Sequence, residues 1–226
     1  MKFINKKYVI SFIIFFGSIN YLFAQNENDF KVKQLPNNTL EITGYIGSTK
    51  NVRIPEILFG LKVVSIGLNA FLCDGIESVI IPNTVIEIKA NAFFGNKLKS
   101  IDIPASVQVI GFAAFYDNQI NKIIIPSTVK IIEPGAFEKN QITSVSIKPI
   151  LSKIGTGAFD KNPLTSISIP NNSTENMIKG AFEEGFYNYW INQNRAGGTY
   201  VKKNGAIWTR EEEQVTQKPV SEKIFN

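Results

Sequence analysis

Histidine is absent from this 226-residue chain, and cysteine occurs once, as Cys73. Without imidazole, neither a Ser/His/Asp nor a Cys/His nucleophile can be assembled, and zinc sites that need histidine are excluded with them. A single thiol cannot form a disulfide within the chain or a thiolate metal cluster. Phosphate-binding loops of the G-x-x-x-x-G-K-[ST] and G-x-G-x-x-G kinds are also missing. Glu77, Asp102 and Glu133 stand at different points of the chain's repeat and show no pairing, so only folding could bring two acids together. The expectation is a protein that is not an enzyme and carries no metal and no cofactor.

Long apolar runs are scarce too. The one that exists, Tyr8 to Phe16, follows the basic residues Lys2, Lys6 and Lys7 and ends in small residues up to Ala24. That order of basic, apolar and small segments reads as an export signal over residues 1–24, cleaved before Gln25. An uncleaved anchor is the other reading, but Asn20 interrupts a stretch already short for a bilayer. Removing this segment takes away three lysines and no acid, so the net charge falls from +5 to +2. No dense basic patch survives, which argues against nucleic acid as a partner. No second apolar run follows, so no membrane span is expected after cleavage. Cys73 reads as a small buried hydrophobe.

What the chain does contain is a period. Phe71, Phe93, Phe115, Phe137, Phe159 and Phe182 are spaced by 22, 22, 22, 22 and 23 residues. Pro82, Pro104, Pro126 and Pro170 keep the same beat, with Lys148 in the remaining slot. A fixed period of this size marks a solenoid, whose coils must stack to bury their faces. Within a coil, Ile101-Asp102-Ile103 alternates as a strand does, and Pro104 ends it by removing a ladder donor. Val107 and Ile110 then suit a short return segment, and Ala114-Phe115 a brief helical turn that plugs the interior. The expected fold is an α/β solenoid, mostly β in content, of parallel strands stacked at a 22-residue period with short helical turns.

Asn96, Asn118, Asn140 and Asn162 also recur once per coil, with Asp74 in the first copy. Side-chain amides at such positions satisfy backbone groups in tight turns, and their register with the core favours a structural ladder over a row of sugar ligands. Gly67, Gly111 and Gly155 alternate with Lys89 and Glu133, so the position does not demand glycine.

The unit L-x-x-I-x-I-P-x-x-V-x-x-I-x-x-x-A-F resembles the BspA-like class of bacterial leucine-rich repeats. The entry segments Leu40–Gly47, Val52–Pro55 and Gly60–Gly67 are similar to that family, as are Ala196–Tyr200 and Trp208 near the end. The resemblance implies an exported, often surface-associated leucine-rich-repeat protein, linked to adhesion and protein binding and without catalysis. In the bacterial setting it implies, Asn37 and Asn171, each two residues before Thr or Ser, are loop residues.

The expected organisation is an export signal at 1–24, an N-terminal cap at 25–53 and about six coils over 54–182. A C-terminal cap at 183–210 and a mobile tail at 211–226 complete it. The aromatics Phe186, Tyr187, Tyr189 and Trp190 would supply apolar mass for the second cap, or else a sugar-stacking platform. A hairpin is expected around the turn Asn204-Gly205.

Residues beside the buried strand positions point outward once per coil and form the candidate binding strip. One row holds Ser78, Ser100, Lys122, Ser144 and Ser166; the next holds Ile80, Asp102, Ile124, Ser146 and Ser168. A third holds Glu77, Lys99, Asn121, Thr143 and Thr165. Phe94 and Tyr116 are exposed candidates on another edge. The expected function is an exported module binding an extracellular or envelope protein, or a glycan. The alternative is an envelope scaffold whose strip is merely solvated.

Overall fold

The computed structural model describes residues 25–148, 151–203 and 207–211. The expected export signal, Pro149, the Asn204-Gly205 turn and all but Glu211 of the expected tail lie outside the described residues.

A 3-10 turn at Glu27–Asp29 leads into the hairpin of β1 (Phe30–Leu35) and β2 (Thr39–Tyr45). Its three-residue loop, Pro36 to Asn38, holds Asn37 and Asn38 at φ 70° and 54°, left-handed values that asparagine tolerates. Then come β3 (Asn51–Arg53), β4 (Ile57–Leu58) and β5 (Leu61–Ile66). Each following coil supplies a pair of short strands. These are β6 (Ser78–Ile80) with β7 (Glu87–Ile88), β8 (Ser100–Asp102) with β9 (Val109–Ile110), and β10 (Lys122–Ile124) with β11 (Ile131–Ile132). β12 (Ser144–Ser146), β13 (Lys153–Ile154) and β14 (Ser166–Ile169) continue the pattern. The chain closes with α1 (Glu175–Ile178), α2 (Glu184–Asn192) and the antiparallel hairpin β15 (Gly198–Lys203) and β16 (Ile207–Arg210).

The strands stack into two walls of a β-solenoid. One wall runs β1-β2-β5-β7-β9-β11-β13 and is parallel from β2 onward. The other contains the pairs β3–β6 and β8–β10 and the run β12-β14-β15-β16, with β6 against β8 and β10 against β12. Along it, exposed, buried and exposed residues alternate in β6, β8, β10 and β12, as the two-residue period of a strand requires.

A turn face forms the third side, built around the phenylalanines. Each Phe from 71 to 159 is bracketed by left-handed residues two before and two after it. The first set is Asn69, Asn91, Ala113, Gly135 and Gly157; the second is Cys73, Gly95, Asp117, Lys139 and Lys161. The expected helical turn at Ala114–Phe115 is for this reason not helical: Ala113, at φ 49°, cannot sit in a right-handed helix. Hydrogen bonds from Ala114 N–H to Gly111 C=O and from Tyr116 N–H to Ala113 C=O close tight turns instead. The same geometry overturns the burial expected for Cys73. At φ 55° in the outer corner of its turn, its thiol faces solvent.

Ala113 is the alanine in a column otherwise filled by Asn and Gly. Left-handed backbone costs an L-residue roughly 1–2 kcal/mol. Ala113→Gly is expected to raise stability by about 0.5–1 kcal/mol, read by urea unfolding, the gain reduced by glycine's greater unfolded-state freedom.

Inside, the six phenylalanines form one column, with successive centroids 4.9–5.5 Å apart and planes within 9° of parallel. That spacing is the inter-strand distance, so one ring fills each coil. Tyr45 and Phe30 continue the column at the N-terminal end. At the other end Phe186 meets Phe182 edge-on at 5.4 Å and packs with Tyr200 and Trp208.

The asparagines form a second column. Asn118 is typical: its Oδ1 accepts from Leu98 N–H (3.1 Å) and its Nδ2 donates to the Phe93 (2.9 Å) and Phe115 (3.2 Å) carbonyls. Asn96, Asn140 and Asn162 repeat this, each reaching one coil back. They bond backbone rather than one another, and a ligand-binding role is excluded for Asn96, Asn118 and Asn140 by their burial. The alternate glycines also differ from expectation. A Cβ at Gly111 would lie 2.6 Å from the Lys89 carbonyl carbon, and one at Gly155 would lie 2.2 Å from Pro134 N. Glycine is therefore demanded in alternate coils, where each coil rests directly on the backbone of the one before.

Candidate binding surface

The strip occupies the wall that contains β6, β8, β10, β12 and β14. Its registers are those the period predicts. Lys122 lies beside Ser100 and Ile124 beside Asp102, while Ser144 and Ser146 lie beside Ser166 and Ser168. Glu77, Ser78, Ile80, Lys99, Ser100, Asp102, Asn121, Lys122, Ile124, Thr143, Ser144, Ser146 and Thr165 are all exposed. Ser166 and Ser168 are half-buried, because β15 pairs with β14 and places Val201 and Thr199 beside them.

The inward partners on these strands, Val79, Ile101, Ile123, Val145 and Ile167, belong to the core. Folding thus depends on one set of side chains and the strip on the alternate set. Ile80 (55% exposed) and Ile124 (66% exposed) leave apolar groups on either side of Asp102 in an otherwise polar face.

The strip is longer than the sequence reading made it. Asn51 and Arg53 on β3 continue two rows at the N-terminal end, paired with Ser78 and Ile80. The Ser78 hydroxyl donates to Asn51 Oδ1 at 2.7 Å. The signal for this coil was present: Val52, Ile54 and Pro55 match the strand-ending pattern of the later repeats. At the other end Thr199 and Val201 extend the same face by antiparallel pairing, which no period announces.

The other candidates do not join this surface. Phe94 and Tyr116 lie on the turn face, stacked on each other at 4.8 Å and half-buried. Of the candidate aromatics, Phe186 and Trp190 are buried and close the C-terminal end of the core with Tyr200 and Trp208. Tyr187 and Tyr189 are half-buried, the Tyr187 hydroxyl donating to Glu175 Oε1 at 2.7 Å. Carboxyls with raised pKa also stand apart, beside the phenylalanine turns. Burial raises Asp74, and burial followed by the charge of Glu138 raises Asp160. Among the described residues, no three metal-ligating side chains cluster, and no helix is long and apolar enough to cross a membrane.

Comparison with known proteins gives the same architecture. A leucine-rich repeat protein from Bacteroides ovatus is similar at 28% identity and TM-score 0.56, covering 67% of this chain and 42% of its own. The T. pallidum leucine-rich repeat protein is similar at 26% identity and TM-score 0.60, covering 66% of this chain and 73% of its own. The chain thus spans less than half of the Bacteroides ovatus protein. No curated protein matches it. The model of the BspA type leucine rich repeat region matches residues 64–187 in 6 copies, the same coils that carry the Phe and Asn columns, and the chain belongs to that family.

Proposed function

We propose that this protein is an exported leucine-rich-repeat module that engages a protein or glycan outside the cytoplasm through the strip. One observation carries the reading. A row of exposed side chains runs in register along the wall from β6 to β12, and the core uses none of them. Proteins of this repeat class are generally non-enzymatic binding or scaffold modules, which suits a surface without catalytic chemistry. Export rests on the basic, apolar and small segments of residues 1–24, and it places the strip at a surface or in an envelope. The strip lacks the Trp, Tyr and Arg anchors of tight interfaces along its centre, so modest affinity strengthened by multiple copies is expected.

The test is an array of extracellular matrix proteins and glycans probed with the exported protein and with a Ser100→Gln, Lys122→Tyr, Ser144→Gln variant. Saturable binding is expected for the wild type, weakened at least about tenfold in the variant. Because all three residues are exposed, thermal unfolding should be nearly unchanged. Binding that survives the triple change removes the strip as the site. A folded protein that binds nothing on the array favours the envelope scaffold instead.

A further inference from the structure

At its N-terminal end the strip dips into two depressions that meet at one residue, Asn51. The first, about 480 Å³, lies between the Gln25–Asp29 segment and strands β3 and β6, and it is lined by Arg53, Ser78 and Ile80. The second, about 420 Å³, is walled by Glu77, Lys97, Lys99 and Gln119. Both fall in the range of small-ligand sites, roughly 300–1,000 Å³.

Gln25 fixes one wall of the first depression. Its Nε2 donates to the Tyr45 hydroxyl at 2.6 Å, and its Oε1 accepts from Arg53 N–H at 2.6 Å. Thr49 Oγ1 accepts from Asn51 N–H at 3.2 Å. Between them these two side chains occupy donors on the outer edge of β3 that an added peptide strand would need, so strand addition is closed here.

Among the described residues some surface lysines are ion-paired, while others, Lys62 and Lys122 among them, are not. Lys139, Lys153 and Lys161 each pair with a carboxylate of an adjoining coil at 2.7–3.0 Å. Arg53, Lys97 and Lys99 take part in none of the ion pairs among the described residues. Asp29 and Glu77, also unpaired, sit one in each depression. Each depression therefore holds cationic donors, one carboxylate acceptor and amides, with exposed Ile80 as an apolar edge.

We propose that the joined depressions bind an acidic oligosaccharide. This rests on reading the strip as a binding surface, and narrows it to one end and one ligand class. Arg53 in one depression and Lys97 with Lys99 in the other would take the carboxylates or sulfates of separate sugar units. Asn51 and Gln119 bond sugar hydroxyls in either direction, Asp29 and Glu77 accept from them, and Ile80 meets a ring's C–H face. A protein partner is disfavoured by the closed strand edge and by the lack of any aromatic anchor in either depression.

The test titrates the purified protein, by calorimetry, with a galacturonic acid hexamer, a heparin hexasaccharide and neutral maltohexaose. The account expects saturable binding of an acidic hexamer and none of maltohexaose. Preference between the two acidic probes tells carboxylate from sulfate recognition. Lys97→Gln with Lys99→Gln should weaken the binding about tenfold, as should about 0.5 M NaCl. A Lys62→Gln, Lys130→Gln variant, which removes two exposed lysines away from the strip, should bind as the wild type does. Equal binding of maltohexaose, no binding of either acidic hexamer, or indifference to the paired lysine change would each overturn the proposal. If the acidic sugars fail while a matrix protein binds and is lost with the Ser100, Lys122 and Ser144 changes, the strip reading stands and this inference alone falls.

Discussion

Phe115→Ala is expected to lower the unfolding free energy by about 3–5 kcal/mol, the cost of emptying a phenylalanine site in a close-packed core. Phe115 is fully buried and lies 5.3 Å from both Phe93 and Phe137, with planes 7° and 3° from parallel. The coils above and below cannot collapse into the cavity, because the backbone bonds Phe93 N–H to Ala114 C=O and Phe115 N–H to Ala136 C=O hold the spacing. Each coil is stable only against its neighbours, so the loss spreads beyond the mutated one. Amide exchange should quicken at Phe93 and Phe137 as well as at Phe115. An unchanged denaturation midpoint would mean that the column does not support the fold.

Asn118→Ala is the second large effect, at about 2–4 kcal/mol, because it leaves the Leu98 N–H and the Phe93 C=O buried without partners. Asn118→Asp separates the two halves of the bond. A carboxylate still accepts from Leu98 N–H, but it faces the Phe93 and Phe115 carbonyls with no donor. Protonation restores the donor and removes a buried charge, so the folded-state pKa lies above the unfolded value. Stability is then greatest below the unfolded pKa, near pH 4, and is lost as pH rises through the folded pKa. Asp74, in the equivalent slot of the first coil, shows that direction natively, with burial raising its carboxyl. Urea unfolding of the aspartate variant at about pH 4 and pH 7 is the check. Equal stability at both values would show that the ladder's amide donor is unnecessary.

The period was legible because stacking makes every coil solve the same problem. A phenylalanine must fill the space between coils and an amide must satisfy two carbonyl and amide groups, so both recur every 22 residues. The outward rows followed from the two-residue alternation of strands. What escaped was local backbone: Ala113 and Cys73 adopt positive φ although neither residue type advertises it. Their conformation is imposed by hydrogen bonds to the next coil, from Ala113 N–H to Pro134 C=O and from Cys73 N–H to Phe94 C=O. The glycine requirement at Gly111 and Gly155 was hidden for a similar reason, since alternate coils approach differently and the averaged repeat shows only tolerance. The N-terminal depressions depend on Gln25 reaching 28 residues along the chain to Arg53, a contact outside any repeat.

The central claim is that the strip, and no other face, meets the ligand. Ile80 and Ile124 place exposed side chains on it, whereas Ile57 and Ile86 are exposed on the opposite wall. Their methyl resonances, followed while the best array ligand is titrated in, test the claim most directly. The account predicts saturable shifts at Ile80, Ile124 or both, with Ile57 and Ile86 unmoved. Shifts at Ile57 and Ile86, with Ile80 and Ile124 silent, would contradict it.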